Sequence, residues 1–211
     1  MTRVRAIRCG MVNCYLLLGG QGSVLVDTGL PGSCRKLERL LEGQRLRLIL
    51  LTHAHSDHAA NAAALANHFG VPVAMSALDE ALVANPLCRP IHARGMGGAL
   101  LRAASIPQMR HSRPARWENA LSLADGMSLR EFGIEAKAVS LPGHTAGSMG
   151  VLTGEGELLA GDAAMYFLFP SPPLIAEDFG QADRSIQKMI GLAPAKIYPG
   201  HGAPFLPAAL K

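Results

Sequence analysis

Thr52-His53-Ala54-His55-Ser56-Asp57-His58 puts four side chains able to bind a metal, His53, His55, Asp57 and His58, within six residues. The run before it, Leu46-Arg47-Leu48-Ile49-Leu50-Leu51, reads as a buried strand. The alanine-rich stretch after it, Ala59 to Phe69, reads as a helix. The four residues therefore fall where a strand ends and a helix begins, the edge at which layered α/β proteins build sites. On an extended segment His53 and His55, two positions apart, point to the same side. The chain then turns, which frees Asp57 and His58 to face elsewhere, so one short segment can feed two neighbouring metal positions. Neutral imidazoles with a carboxylate suit zinc, and also iron or manganese. The competing reading is a solvated loop that happens to be histidine-rich. Three of the chain's eight histidines in six positions, behind an apolar strand, argue against it.

With 211 residues, 49% hydrophobic and 17% charged, the chain has enough apolar material for a folded core and is not disordered. No apolar run approaches the roughly 20 residues that span a bilayer, so no membrane segment is expected. Arg3, Arg5 and Arg8 precede an apolar stretch near the N-terminus, but Gly10 and Asn13 interrupt it and no small-residue cleavage site follows. One or two first strands are the better reading. Cys9, Cys14, Cys34 and Cys88 form no CxxC pair and none adjoins the histidine cluster. They read as free thiols of a cytoplasmic protein. The net charge of +4 comes without interleaved aromatic residues, so nucleic acid is not an expected partner. The expected partner is a small-molecule substrate. The oligomeric state is left open, a dimer included.

Short strands are expected at 4–7, 13–18 and 23–26, forming an antiparallel meander, followed by a helix at 33–43. The strand at 46–51, the helix to Phe69 and a strand ending at Met75 continue as β-α-β, the pattern of a layered α/β domain. Asp27, at the exit of its strand, reads either as a turn residue or as an acceptor that orients a ligand. Residues 81–117 contain no Asp or Glu but hold Arg89, Arg94, Arg102, Arg110, Arg113, Arg116, His92 and His111. This stretch reads as a basic, helical insertion. It is either a solvated surface or a lid whose field draws an anionic substrate. Gly95, Gly97 and Gly98 suggest a bend, and 99–104 a short helix. His92 and His111 read as surface residues. Strands follow at 134–141, 148–153, 158–160 and 196–198, with a helix at 182–191.

Three later residues repeat the opening pattern. His144 in Leu141-Pro142-Gly143-His144, Asp162 in Ala160-Gly161-Asp162 and His201 in Pro199-Gly200-His201 each follow an expected strand, and each has a glycine beside it. Glycine lets the backbone approach a metal or substrate closely. Together with the first cluster they make seven candidate ligands.

His53-Ala54-His55-Ser56-Asp57-His58, with His144, Asp162, His201 and the Asp27 of Val26-Asp27-Thr28-Gly29, resembles the metallo-β-lactamase-fold hydrolases over residues 12–204. The resemblance implies one domain over 1–211 with a four-layer αββα sandwich fold and metals at one edge between two sheets. It implies that His53, His55 and His144 hold a first ion, that Asp57, His58 and His201 hold a second, and that Asp162 bridges them. The β-lactamases themselves commonly carry a cysteine at the equivalent of Asp162, and no cysteine follows Cys88 here, so antibiotic hydrolysis is not expected. Two adjacent ions, zinc first and iron or manganese otherwise, make hydroxide available between them near neutral pH, ready to attack an ester-like carbonyl. Asp57 and Asp162 are also expected to orient that attack or pass a proton. Tyr166, four residues after Asp162, is a further candidate hydrogen-bond donor, with core packing as its other reading. Phe167 to Ile175 reads as an apolar loop at the mouth, which either holds an acyl chain or covers the core.

The chain is similar to single-domain thioesterases of the hydroxyacylglutathione hydrolase type. It ends ten residues after His201, so the helical domain that binds glutathione in longer relatives is not expected. The expected activity is hydrolysis of a thioester or lactone of a small anionic substrate. The alternatives are a phosphodiesterase of the same fold, which lacks here the added motifs of nuclease relatives, and a non-catalytic metal-binding protein.

Overall fold

The computed structural model describes residues 1–210. Its strands and helices run β1 (Arg3–Cys9), β2 (Val12–Leu18), β3 (Ser23–Val26), α1 (Cys34–Leu41), β4 (Leu46–Leu50), α2 (Ser56–Ala59), α3 (Ala62–Phe69), β5 (Val73–Met75) and α4 (Glu80–Ala84). Then come β6 (His92–Ala93), α5 (Gly95–His111), β7 (Ala120–Ser122), β8 (Ala136–Ser140), β9 (Met149–Thr153) and β10 (Glu157–Gly161). The chain closes with β11 (Met165–Tyr166), β12 (Pro170–Ser171), β13 (Ile175–Ala176), α6 (Phe179–Gly191) and β14 (Lys196–Pro199).

One sheet has the order β1-β2-β3-β4-β5-β7 and a second β14-β10-β9-β8. The first begins as the expected antiparallel meander, β1 to β3, and becomes parallel from β3 through β4 and β5 to β7. Alternation within β4 explains why Leu48, Ile49 and Leu50 are all apolar. Leu48 and Leu50 join Tyr15, Leu17, Val24 and Val26 against Ala138, Met149, Val151 and Leu159 of the second sheet. Ile49 faces the other way, onto Leu37 and Leu41 of α1 and Leu65 of α3. On the outer face of the second sheet, Val139, Leu158 and Ile197 pack against Ile186 and Met189 of α6. Helix, sheet, sheet and helix thus make four layers, and a strand buried on both faces needs a continuous apolar run.

Several boundaries differ from the sequence expectation. The helix expected from Ala59 to Phe69 is split at Ala60–Asn61. There the Asn61 amide leaves the helix to donate to the carbonyls of Thr28 at 2.7 Å and Leu30 at 2.9 Å. Helix α6 starts at Phe179 rather than 182, because Asp178 caps it by accepting from the Gln181 N–H at 2.9 Å. Of the glycines expected at a bend, Gly95 makes it, with φ of 66° where α5 begins, whereas Gly97 and Gly98 lie inside that 17-residue helix. A Cβ at Gly98 would collide with the Leu174 carbonyl, so glycine is what lets α5 sit against the chain entering β13. No helix among the described residues is long and apolar enough to cross a membrane.

Candidate metal centre

The two sheets are tied together at one edge. Val12 pairs with His201, the Asn13 N–H donates to the Gly200 carbonyl at 2.8 Å, and the Met149 N–H donates to the Thr52 carbonyl at 2.8 Å. The seven sequence-predicted ligands converge there. Ligand atoms of His53, His55 and His144 lie within 4.8 Å of one another, as do those of His53, His58 and Asp162, and those of Asp57, His58 and His201. Asp162 faces both sides of this cluster. Its Oδ1 is 3.4 Å from His58 Nε2, and its Oδ2 is 3.4 Å from His201 Nε2 and 3.7 Å from His144 Nε2. Asp57 Oδ2 stands 3.5 Å from His201 Nε2 and 3.7 Å from His58 Nε2. Gly200 makes this convergence possible, since a Cβ there would strike the Asp162 carboxylate and lie 2.8 Å from the His58 ring.

The imidazoles are aimed from behind. His58 Nδ1 donates to Asp27 Oδ2 at 2.8 Å, His144 Nδ1 to the Ile175 carbonyl at 2.9 Å, and His201 Nδ1 to the Met11 carbonyl at 2.9 Å. His53 Nδ1 lies 3.1 Å from Thr52 Oγ1, which itself donates to Asp27 Oδ2 at 2.9 Å. Each of these contacts fixes the tautomer that leaves Nε2 bare toward the cluster, as metal-binding histidines require. His55 is turned the other way, with Nδ1 3.1 Å from His144 Nε2. Asp27 therefore orients one histidine directly and another through Thr52. It does so from a left-handed backbone with φ of 60°, which a short polar side chain tolerates.

Nitrogens and oxygens that face each other at 3.4–3.7 Å leave polar atoms unsatisfied. His53 Nε2, His55 Nε2, His58 Nε2 and Asp162 Oδ1 are buried without a hydrogen-bond partner. Buried polar atoms are costly unless paired. Three of them, His53 Nε2, His58 Nε2 and Asp162 Oδ1, point into one cluster of imidazoles and carboxylates that His55 joins through Nδ1, and such a donor set suits divalent cations.

Charge is distributed unevenly. Burial and the neighbouring histidines hold His53 well below the ordinary imidazole range, and burial with His144 lowers His55 to about 3. Burial also opposes charge on His58 and His201. The carboxylates of Asp162, Asp27 and Asp57 override it at His58, raising it to about 9, and Asp162 and Asp57 raise His201 to about 11. At Asp57 and Asp162 burial is likewise outweighed, by the adjacent His58 and His201, and both carboxyls lie below their usual range.

Tyr166 stands beside the cluster without joining it. Its N–H donates to the His201 carbonyl at 3.0 Å, and its ring lies 6.1 Å from that of Phe205. Its hydroxyl makes no hydrogen bond among the described residues. His92 and His111 are exposed and outside the cluster.

Sequence reasoning missed Asp79. Fully buried, it accepts from the Gly147 N–H at 2.9 Å, Thr145 Oγ1 at 2.7 Å and Arg89 at 2.6 Å. Arg89 also donates to Glu177 at 2.9 Å, and Glu177 accepts from the Ala146 N–H at 2.8 Å. The loop that presents His144 is thereby gripped from two sides. In Ser76-Ala77-Leu78-Asp79 the aspartate looks like an ordinary acid in a first helical turn, and only the fold buries it against Gly147. Arg94 is paired as well, with Asp183 at 2.9 Å. Two arginines of the basic insertion are therefore committed to acidic partners.

Comparison with known proteins agrees with this geometry. The chain is 30% identical over 214 residues to the uncharacterized protein YobT of Bacillus subtilis, covering 90% of this chain and 83% of that one. It is 27% identical to the probable metallo-hydrolase YflN of the same organism, covering 86% and 75%. To the hydroxyacylglutathione hydrolase GloC of Haemophilus influenzae it is 30% identical, over 68% of this chain and 61% of that one. The structure of TTHA1623 in a di-iron-bound form superposes with a TM-score of 0.69 at 27% identity, covering 98% and 96%. The model of the metallo-beta-lactamase superfamily matches residues 7–201, which take in all seven clustered side chains. With the four-layer sandwich and its histidine- and aspartate-lined edge, that match makes the chain a member of the metallo-β-lactamase superfamily.

Proposed function

We propose that the chain is a two-metal hydrolase that cleaves an ester-like bond, a thioester or lactone of a small substrate. The observation that carries this reading is the Asp162 carboxylate, set between His144 on one side and His58 and His201 on the other, with its Oδ1 and the Nε2 atoms of His53 and His58 buried without partners. His53, His55 and His144 would hold one ion, Asp57, His58 and His201 the other, and Asp162 both. Zinc suits this donor set, with iron or manganese as alternatives, and TTHA1623 was solved in a di-iron-bound form. When bound, such ions supply Lewis acidity toward a carbonyl and lower the pKa of water.

The chain's own groups then have defined tasks. Asp27 and Thr52 hold His58 and His53 in one tautomer, so their bare nitrogens stay aimed at the cluster. Asp57, a quarter exposed at the open side of the cluster, is placed to orient a water and to accept its proton. Tyr166 is assigned a packing role against Phe205. Arg110, Arg113 and Arg116 are exposed and make no ion pair among the described residues, and they would draw an anionic substrate. The ester reading is supported by a relative that bears the name hydroxyacylglutathione hydrolase, since an acylglutathione is a thioester. Four free cysteines fit a reducing, cytoplasmic setting.

The test is metal analysis followed by a panel of thioesters, lactones and phosphodiesters. Turnover of thioesters or lactones is expected, and cleavage of bis(p-nitrophenyl) phosphate alone would overturn the ester reading. Asp162→Ala is expected to lower metal content and to cut turnover by about a thousandfold, the worth of several kcal/mol in the barrier. Retained turnover would sink the two-metal reading.

A further inference from the structure

The cluster is closed on one side and open on the other. His53, His55, His58 and His144 are each 3% exposed or less, whereas the side chains of Asp57 and His201 are 25% and 13% exposed. A substrate therefore arrives past Asp57 and His201, and the side chains beside His201 are apolar. Phe167, Leu168 and Phe169 form the tip of the β11–β12 hairpin and are 47%, 89% and 67% exposed. The Phe167 ring lies 6.2 Å from the His201 imidazole, tilted by 31°. Met11, whose carbonyl accepts from His201 Nδ1 at 2.9 Å, is 73% exposed. No charged residue occurs between Asp162 and Glu177. Arg89 before β6 and Arg94 just after it are both held in ion pairs. Large apolar side chains grouped in water mark a binding surface, and this group is continuous with the open side of the centre.

We propose that Met11 and Phe167–Phe169 form an apolar rim that receives the acyl portion of the substrate. The ester cleaved then carries an uncharged acyl chain of several carbons, while any anionic portion lies in the leaving group. This inference rests on the ester-hydrolase reading above. In the reaction, water adds its oxygen to the acyl carbon and the carbon–sulfur or carbon–oxygen bond breaks. The thiol or alcohol leaves with a proton, and the product is the free acid. A methylene fully removed from water is worth about fourfold in affinity, and a rim open on one side about twofold.

The experiment is a series of acyl thioesters of one thiol, acetyl to octanoyl, with the wild type and a Phe167→Ser/Leu168→Ser/Phe169→Ser variant. Calorimetric titration of butyrate and octanoate into both metal-loaded proteins runs beside it. In the wild type, kcat/KM is expected to climb about twofold per methylene. The variant's loss is expected to grow with chain length, to about sixtyfold more for octanoyl than for acetyl, about twofold for each added methylene. Octanoate is expected to bind more tightly than butyrate to the wild type and equally to the variant. A flat wild-type series, or a variant loss equal at every length, would overturn the rim. If no ester of any length is cleaved, the hydrolase reading fails instead, and the titration alone decides the rim. Octanoate binding no tighter than butyrate then rejects it.

Discussion

Arg89 donates to the buried carboxylate of Asp79 at 2.6 Å, and the same carboxylate accepts from the Gly147 N–H at 2.9 Å. An arginine from the basic insertion thus fixes the loop that carries His144. Removing one partner leaves the other carboxylate buried and uncompensated. Arg89→Ala is expected to destabilise the protein by about 2–3 kcal/mol, at the low end for such pairs because the arginine is partly exposed. It is also expected to weaken metal binding by about tenfold or more. Arg89→Lys should restore little, since an ammonium cannot fork between Asp79 and Glu177. Denaturant midpoints and metal titrations check this. An alanine variant with wild-type metal affinity would reduce the contact to surface decoration.

Asp27 accepts from His58 Nδ1 at 2.8 Å and from the Thr52 hydroxyl at 2.9 Å. Asp27→Asn keeps an acceptor and tolerates the left-handed backbone, whereas Asp27→Ala loses the acceptor and is strained. Metal affinity should fall about tenfold for the asparagine variant and towards a hundredfold for alanine. Equal affinities in both variants and the wild type, read by competition with a chromogenic chelator, would refute the orienting role.

The metal-free protein should hold protons on His58 and His201 at pH 7, because neighbouring carboxylates raise them to about 9 and about 11. Both lie above the ordinary imidazole value near 6.5. Their stabilising contribution is complete below that value and is lost as pH rises through 9 and then 11. Cations must displace these protons, so affinity should climb with pH, steeply below about 9 and less steeply from there to about 11. A weakly buffered metal titration at pH 7 is expected to release about two protons per protein. No release would show that both histidines are already neutral.

Tyr166→Phe tests the packing assignment. The ring stays on Phe205 and only an unpartnered hydroxyl is lost, so stability should change by less than about 0.5 kcal/mol. Turnover should stay within about threefold of the wild type. A fall of about a hundredfold would return the hydroxyl to the reaction as a proton donor.

The amino-acid sequence by itself determined the layered α/β class, the meander before β4 and all seven clustered side chains. Ligand residues at strand exits with glycine beside them are local patterns, and Gly200 shows why, since its missing Cβ leaves room for Asp162. Whether Asp27 was a turn residue or an orienting acceptor stayed open until its carboxylate was seen on His58 and Thr52. Asp79 and Arg89 were decided only by the tertiary structure. An aspartate in a first turn and an arginine in a basic stretch are ordinary locally, and their roles depend on partners 66 and 88 residues away in Thr145 and Glu177. The mouth was legible in part, since Phe167 to Ile175 read as an apolar loop there, but which of its residues stand open to water was not. The exposure of Phe167–Phe169 beside His201 follows from where β11 and β12 turn relative to β14. No periodicity within those residues encodes that placement.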